Sequence, residues 1–166
     1  MDADYWIEHL GMEPHPEGGF YKRTFESDEM IVTESHSTQR RLYTSIYFLL
    51  RSDDISHFHR LKSDELWYFH GGSALSVHII DEAGKYRVEK LGLDIANGEK
   101  PQVLVAKGSI FGSSVEREDA YSLVGCMVAP GFDFADFELF TQNELLAQFP
   151  EHEEIIRKLA YDKLPE

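Results

Sequence analysis

From residue 19 to residue 129 the chain is a succession of short apolar runs, each closed by glycine, proline, asparagine or aspartate. Residues 42–50 (LYTSIYFLL) and 102–106 (QVLVA) have the β-branched, aromatic and aliphatic content of strands. The same reading predicts strands over 19–25, 55–59, 65–70, 74–80, 85–91, 110–115 and 121–129. Asp81-Glu82-Ala83-Gly84 predicts a hairpin turn, and Asn97-Gly98, Lys107-Gly108 and Pro130-Gly131 mark further turns. Only the ends change period. Tyr5, Trp6, Ile7 and Leu10 suit a helix over 3–11 that stops at Gly11. Thr141 or Asn143 can cap a second helix carrying Leu145, Leu146 and Phe149. Pro150 can start a third with Ile155, Ile156 and Leu159 on one stripe, so that helix fills 141–162. Many short strands without long intervening helices predict an all-β sandwich or barrel with short terminal α-helices, not a parallel α/β sheet. One domain over 1–166 is expected, with its core within 19–140.

Composition narrows the partners. The 166 residues carry a net charge of -14, which argues against nucleic acid and against an anionic membrane surface, since both select lysine and arginine. No apolar run approaches the ~20 residues of a membrane span. No basic start followed by an apolar stretch is present, so no signal peptide is expected. The single cysteine, Cys126, lies in an apolar run and is read as a small buried hydrophobe. A reducing cytoplasm is the natural setting.

Chemistry concentrates in His57-Phe58-His59-Arg60-Leu61-Lys62-Ser63-Asp64-Glu65-Leu66-Trp67. On a strand, residues i and i+2 share a face, so His57 and His59 are expected on one side, with Glu65 able to add an oxygen from the next strand. Two imidazoles and a carboxylate could hold one divalent metal (Zn, Fe, Ni or Mn) with open positions. Equally, the two histidines could bind an organic ligand in a polar pocket, where a neutral-pH imidazole can pass a proton. Tyr21, Tyr47 and Tyr68 are candidate proton partners. Arg23 is a candidate anchor for a carboxylate or phosphate. Trp67 could line the pocket or be ordinary core. The turn Glu17-Gly18-Gly19 calls for positive φ; Glu17 could reach the pocket, and a role in stabilising the turn is the favoured reading. His15, His36, His70, His78 and His152 show no ligand spacing and are read as surface or packing residues.

The segment resembles the first motif of the cupin superfamily: HxH, then a glutamate, then six residues and a glycine, here His57, His59, Glu65 and Gly72. Arg51 stands where that motif has its leading glycine. Five residues separate His59 from Glu65, and Asp64 would satisfy a gap of four. In the second motif, Ala106 replaces the usual proline and Phe111 the metal-binding histidine, an aromatic wall in place of a ligand. Three segments in order, Leu10 to Tyr21 with its HPEGG, HFHRLKSDE, and Gly125 to Phe134 with its APGFDF, resemble more closely a small cupin-like branch labelled a domain of unknown function.

That resemblance covers roughly 5–145. It implies a double-stranded β-helix, the cupin jelly-roll barrel, usually a homodimer, with a small-molecule pocket. Some cupins are sugar epimerases with a histidine base and a tyrosine acid. The resulting expectation is an isomerase or epimerase acting on a polar metabolite such as a sugar derivative. His59 would transfer the proton with His57 and Tyr21 beside it, and Trp67, Tyr47, Arg23, Phe111 and Phe132 would line the pocket. Two alternatives stand beside it: a non-catalytic ligand sensor, and a metal-dependent oxygenase on His57, His59 and Glu65.

Overall fold

The computed structural model describes residues 1–166. Its strands in chain order are β1 (Glu13–Pro14), β2 (Phe20–Glu26), β3 (Met30–Ile31), β4 (Arg40–Arg41), β5 (Thr44–Arg51), β6 (Ile55–Arg60), β7 (Asp64–Gly72), β8 (Leu75–Ile80), β9 (Tyr86–Leu91), β10 (Gln102–Val105), β11 (Ile110–Ser114), β12 (Tyr121–Ala129) and β13 (Glu138–Leu139). The helices are α1 (Ala3–Leu10), α2 (Gln142–Gln148) and α3 (Glu153–Leu159). All nine expected strands are present. The four two-residue strands are too short to carry a period and have no sequence signal.

One sheet runs β1-β2-β5-β12-β7-β10 and faces a second, β13-β6-β11-β8-β9, with β3 and β4 forming a separate ribbon. Every pairing within the sheets is antiparallel. The result is a jelly roll whose main core lies between the sheets. Phe48 and Leu50 on β5, Trp67 on β7 and Val124, Cys126 and Val128 on β12 meet Val77 and Ile79 on β8 and Phe111 on β11.

The apolar runs are continuous because both sheets are also covered outside. Leu49 and Leu123, which alternate with the inward set, pack beneath Trp6, Ile7 and Leu10 of α1. Phe58, Ile80 and Ile110 pack beneath Leu145, Ile156 and Leu159 of α2 and α3. Asp2 caps α1 by accepting from Tyr5 N, and Gly11 ends it at φ 62°. The 81–84 hairpin forms as expected, with Asp81 N donating to the Lys85 carbonyl at 3.0 Å.

At α2, Thr141 Oγ1 accepts from Glu144 N at 3.2 Å while the Glu144 carboxylate accepts from Thr141 N at 2.7 Å, a reciprocal capping box. Thr141→Ala is expected to lower stability by about 1 kcal/mol in urea denaturation. An unchanged midpoint would mean that this cap does not hold the C-terminal helices in place.

Candidate functional site

The site is a cavity of about 470 Å³ between the sheets, lined by His15, Glu17, Tyr21, Arg23, Phe48, His59, Glu65, Trp67, Cys126, Phe132 and Phe134, among others. Its ionisable floor comes from three elements. Strand β6 supplies His59 and β7 supplies Glu65 and Trp67 on one face. The 15–19 turn supplies His15 and Glu17.

Glycine delivers Glu17. Gly18 has φ 111°, and a Cβ there would stand 1.8 Å from the Ile55 carbonyl oxygen. The turn is therefore pressed onto β6, with His57 N and His57 Nδ1 both on the Glu17 carbonyl oxygen at 2.7 and 2.8 Å. The Glu17 side chain then reaches His59 Nε2 at 2.9 Å, with His15 Nδ1 3.9 Å away. Glu17 N donates to His15 Nδ1 at 3.1 Å, which leaves His15 uncharged at that nitrogen. Burial also lowers the His15 pKa.

His59 is held at both nitrogens. Nδ1 lies 2.7 Å from the His57 carbonyl, so it carries a proton, and Nε2 faces the carboxylate. Burial, the largest single influence, lowers the His59 pKa, but the Glu17 charge and hydrogen bond, the Glu65 carboxyl and the His57 carbonyl together outweigh it, and the pKa sits above the usual 6.5. For Glu17, burial opposes ionisation, yet the His59 and His15 side chains bring its pKa down to about 2. Glu65 goes the other way. Burial, reinforced by the Glu17 charge, raises its pKa from 4.5 to about 8. The cavity thus holds one ionised carboxyl and one protonated carboxyl at neutral pH, with an imidazole beside the first whose charged form that carboxylate favours; this is the separation of carboxyl pKa values that acid–base sites require.

Several expected site residues meet here: His59, Tyr21, Arg23, Glu65, Trp67 and Phe132 all line the cavity. The choice between Asp64 and Glu65 falls to Glu65. Asp64 is exposed and accepts from Lys107 N at 2.8 Å.

Three expected residues lie elsewhere. The His57 ring is stacked on Tyr161 at 3.6 Å beneath the 15–19 turn, where it fastens the Glu17 backbone and does not line the cavity. Tyr47 points to the outer face of β5, against the α1 cluster, because its neighbour Phe48 takes the inward position. Phe111 is a back wall, its ring 4.1 Å from His59 and not on the cavity surface. Phe111 pairs across the strands with His59, the place the motif alignment gives it.

Glu17 and His15 were read as turn and packing residues, and both belong to the site. Arg40 and His36 are buried as well, and His36 takes the packing role of its two expected ones. Arg40 makes two bonds to Asp136, at 2.8 and 2.9 Å, and His36 lies 3.4 Å from the same carboxylate. This buried cluster pins the segment after Phe132 and Phe134, which forms the cavity mouth.

The expected metal ligands do not fit a metal ion. His59 has both nitrogens engaged, His57 is outside the cavity and Phe111 replaces a third imidazole. No three His, Cys, Asp or Glu side chains converge closely enough to hold a cation. Cys126 lines the wall with its thiol pKa raised by burial, which keeps it in the unreactive protonated form. No helix is long and apolar enough to cross a membrane.

Known structures share this architecture. A hypothetical protein from Leishmania major is 40% identical, with a TM-score of 0.94 over 98% of this chain and 100% of its own. A Shewanella oneidensis protein is 48% identical, with a TM-score of 0.91 over 98% of this chain and 99% of its own. Bacillus subtilis oxalate decarboxylase, at 16% identity, superposes on 96% of this chain and 42% of its own with a TM-score of 0.56, a likeness of fold alone. No curated protein matches. The HPEGG turn, the HFH strand and the closing APGFDF segment that build the cavity all fall within residues 4–140, which match the Cupin superfamily (DUF985), and the chain belongs to that family.

Proposed function

We propose that this chain is a proton-transfer enzyme of the isomerase or epimerase type, acting on a small polar metabolite. The observation that carries the reading is the buried Glu17–His59 contact at 2.9 Å on a 470 Å³ cavity, opposite an uncharged Glu65. In its base form the pair is a carboxylate beside a neutral imidazole. The Glu17 carboxylate takes the proton from substrate carbon and passes one on to His59 Nε2, 2.9 Å away, so that the pair ends as carboxylate and imidazolium. The Glu17 charge raises the pKa of His59 above 6.5, which makes the neutral imidazole a stronger base than a free one. Tyr21 lines the same cavity and is kept protonated by burial and by Glu13, so it can return a proton to carbon. Phe48, Trp67, Phe132 and Phe134 suit a flat or cyclic body, and Arg23 at the rim suits an anionic tail.

The same reading includes a cytoplasmic homodimer. Exposed Phe25 at the end of β2 and exposed Met30, Ile31 and Val32 nearby in sequence support it. A single-protomer mass in sedimentation would refute the dimer.

The activity is tested without knowing the product. A panel of hydroxy ketones, 2-oxo acids and reducing sugars is incubated with the protein in deuterium oxide and followed by proton NMR. Catalysed loss of a carbon-bound proton is expected for one class, and His59→Asn should reduce it by about 10²-fold or more. A ligand that binds the wild type tightly while every candidate keeps its protons would instead make the chain a binding module.

A further inference from the structure

Two polar groups on the cavity wall have no partner. Glu65 Oε2 and Trp67 Nε1 are both buried and form no hydrogen bond, although Glu65 and Trp67 are 8% and 1% exposed and both line the cavity. They sit two residues apart on β7 and point the same way. The indole N–H is directed at the Glu65 carboxyl, close enough to favour its ionised form slightly, but outside the geometry of a formed hydrogen bond. An unmade bond at a buried donor costs free energy, roughly 1–3 kcal/mol each. The chain keeps two such groups side by side on residues that line the cavity, each atom shielded from water.

Building on the proton-transfer reading, we propose that Trp67 Nε1–H and the Glu65 carboxyl O–H form a two-donor cradle for a substrate oxygen, so that the substrate is a carbonyl compound with an ionisable C–H next to the carbonyl. Glu65 acts as a donor because burial, and after it the charge of Glu17 in the same cavity, disfavours its ionised form.

In the step, the C–H bond breaks and its proton goes to the Glu17–His59 pair: the Glu17 carboxylate accepts it and His59 Nε2 ends protonated. The electron pair forms the C=C bond of an enolate, and the negative charge moves onto the carbonyl oxygen. That oxygen accepts from Trp67 and Glu65, whose donors are fixed before the charge develops. Reprotonation of carbon on the other face, or at the neighbouring carbon, gives the epimer or the isomer. No oxidant or reductant enters. The indole and the carboxyl contact the reacting oxygen directly, and both are catalytic residues in this scheme.

The probe is a series of para-substituted phenols, which at a fixed pH present an ionised oxygen in a larger fraction of molecules as the phenol becomes more acidic. Binding to the full chain is measured by calorimetry and by the indole proton resonances of Trp67 and Trp6. Trp6 donates to Tyr121 Oη at 2.9 Å, outside the cavity, and is the internal control. The expected result is tighter binding with increasing phenol acidity and a downfield shift of the Trp67 indole proton alone. Trp67→Phe should weaken the most acidic phenol by about tenfold and the corresponding methyl ethers much less. If Trp67→Phe does not fold, the wild-type shift and the acidity trend decide the matter.

Affinity independent of acidity, or an unmoved Trp67 proton, would overturn the cradle. A cradle that behaves as expected in a protein that exchanges no carbon-bound proton would leave the two-donor oxygen site standing and remove both the proton-transfer reading and the enolising substrate. Exchange without the acidity trend would do the reverse.

Discussion

Glu17→Gln is expected to reduce turnover by about 10²-fold or more and to bring the His59 pKa from above 6.5 to below it. Burial already pulls the imidazole down, and the neighbouring carboxylate is the largest influence holding it up. The amide keeps the shape of the contact and loses the charge.

The pH–rate profile should show this change directly. In the wild type the rate rises as His59 loses its proton, above 6.5, and falls as Glu65 ionises near about 8, giving a narrow bell. In Glu17→Gln the acid limb moves below 6.5. The alkaline limb also moves down, because Glu17 no longer opposes ionisation of Glu65.

Stability follows the same charges. The lowered pKa of Glu17 contributes stability above 4.5 that is lost as pH falls toward about 2. The raised pKa of His59 contributes stability below 6.5 that is lost as pH rises through its folded value. The pair therefore stabilises the fold most between pH 4.5 and 6.5, and this is where Glu17→Gln should lose most. Nitrogen-15 NMR of the histidine rings gives the pKa and denaturation gives the pH window. A His59 titration identical in wild type and variant would show that the pair is not electrostatically coupled.

Much of this arrangement was legible along the chain, and the exceptions share a cause. Strand alternation placed His59, Glu65 and Trp67 on the cavity side because each lies on a regular stretch of β6 or β7. The same rule failed for His57. Alternation gives a side of the sheet, whereas the 15–19 turn lies over the ring on that side and Tyr161 stacks against it from the chain's far end. Tyr47 failed by one residue, since a run as uniformly apolar as LYTSIYFLL, covered on both faces, gives no contrast to set its phase.

Glu17 was hidden for a different reason. Prolines and glycines identify the HPEGG segment as a turn and say nothing about what it folds against. A signal did exist in the glycine pair. Gly18 and Gly19 both have positive φ, and at each a Cβ would stand within 3 Å of a backbone oxygen. Adjacent glycines with no room for a side chain mark a turn pressed onto another strand, and the residue before them is the one it delivers inward. The Arg40–Asp136 clamp joins residues 96 apart in sequence and had no signal at all.

Glu65→Gln is expected to stabilise the protein at pH 8 while changing it little at pH 5. The native pKa of Glu65 is raised to about 8 from 4.5. Below 4.5 the carboxyl is protonated in both the folded and the unfolded chain, and folding incurs no cost there. Between 4.5 and 8 the unfolded chain ionises and the native one does not. The unfolded state then binds fewer protons, and stability falls as pH rises. Above 8 both states are ionised and the loss levels off.

At one pKa unit to about 1.4 kcal/mol, the loss that Glu65 contributes between pH 5 and pH 8 is on the order of 3 kcal/mol. Glutamine cannot ionise and removes that slope. Its buried amide, like the acid, keeps an unmatched donor, which holds the net gain at pH 8 to roughly 1–3 kcal/mol. Urea denaturation at the two pH values measures the difference. Parallel pH dependence in wild type and variant would mean that Glu65 ionises normally in the folded protein, and a carboxylate cannot donate to a substrate oxygen. A carboxyl held neutral at a cost to the fold, beside an unpaired indole N–H, is instead what a site built around a developing oxyanion requires.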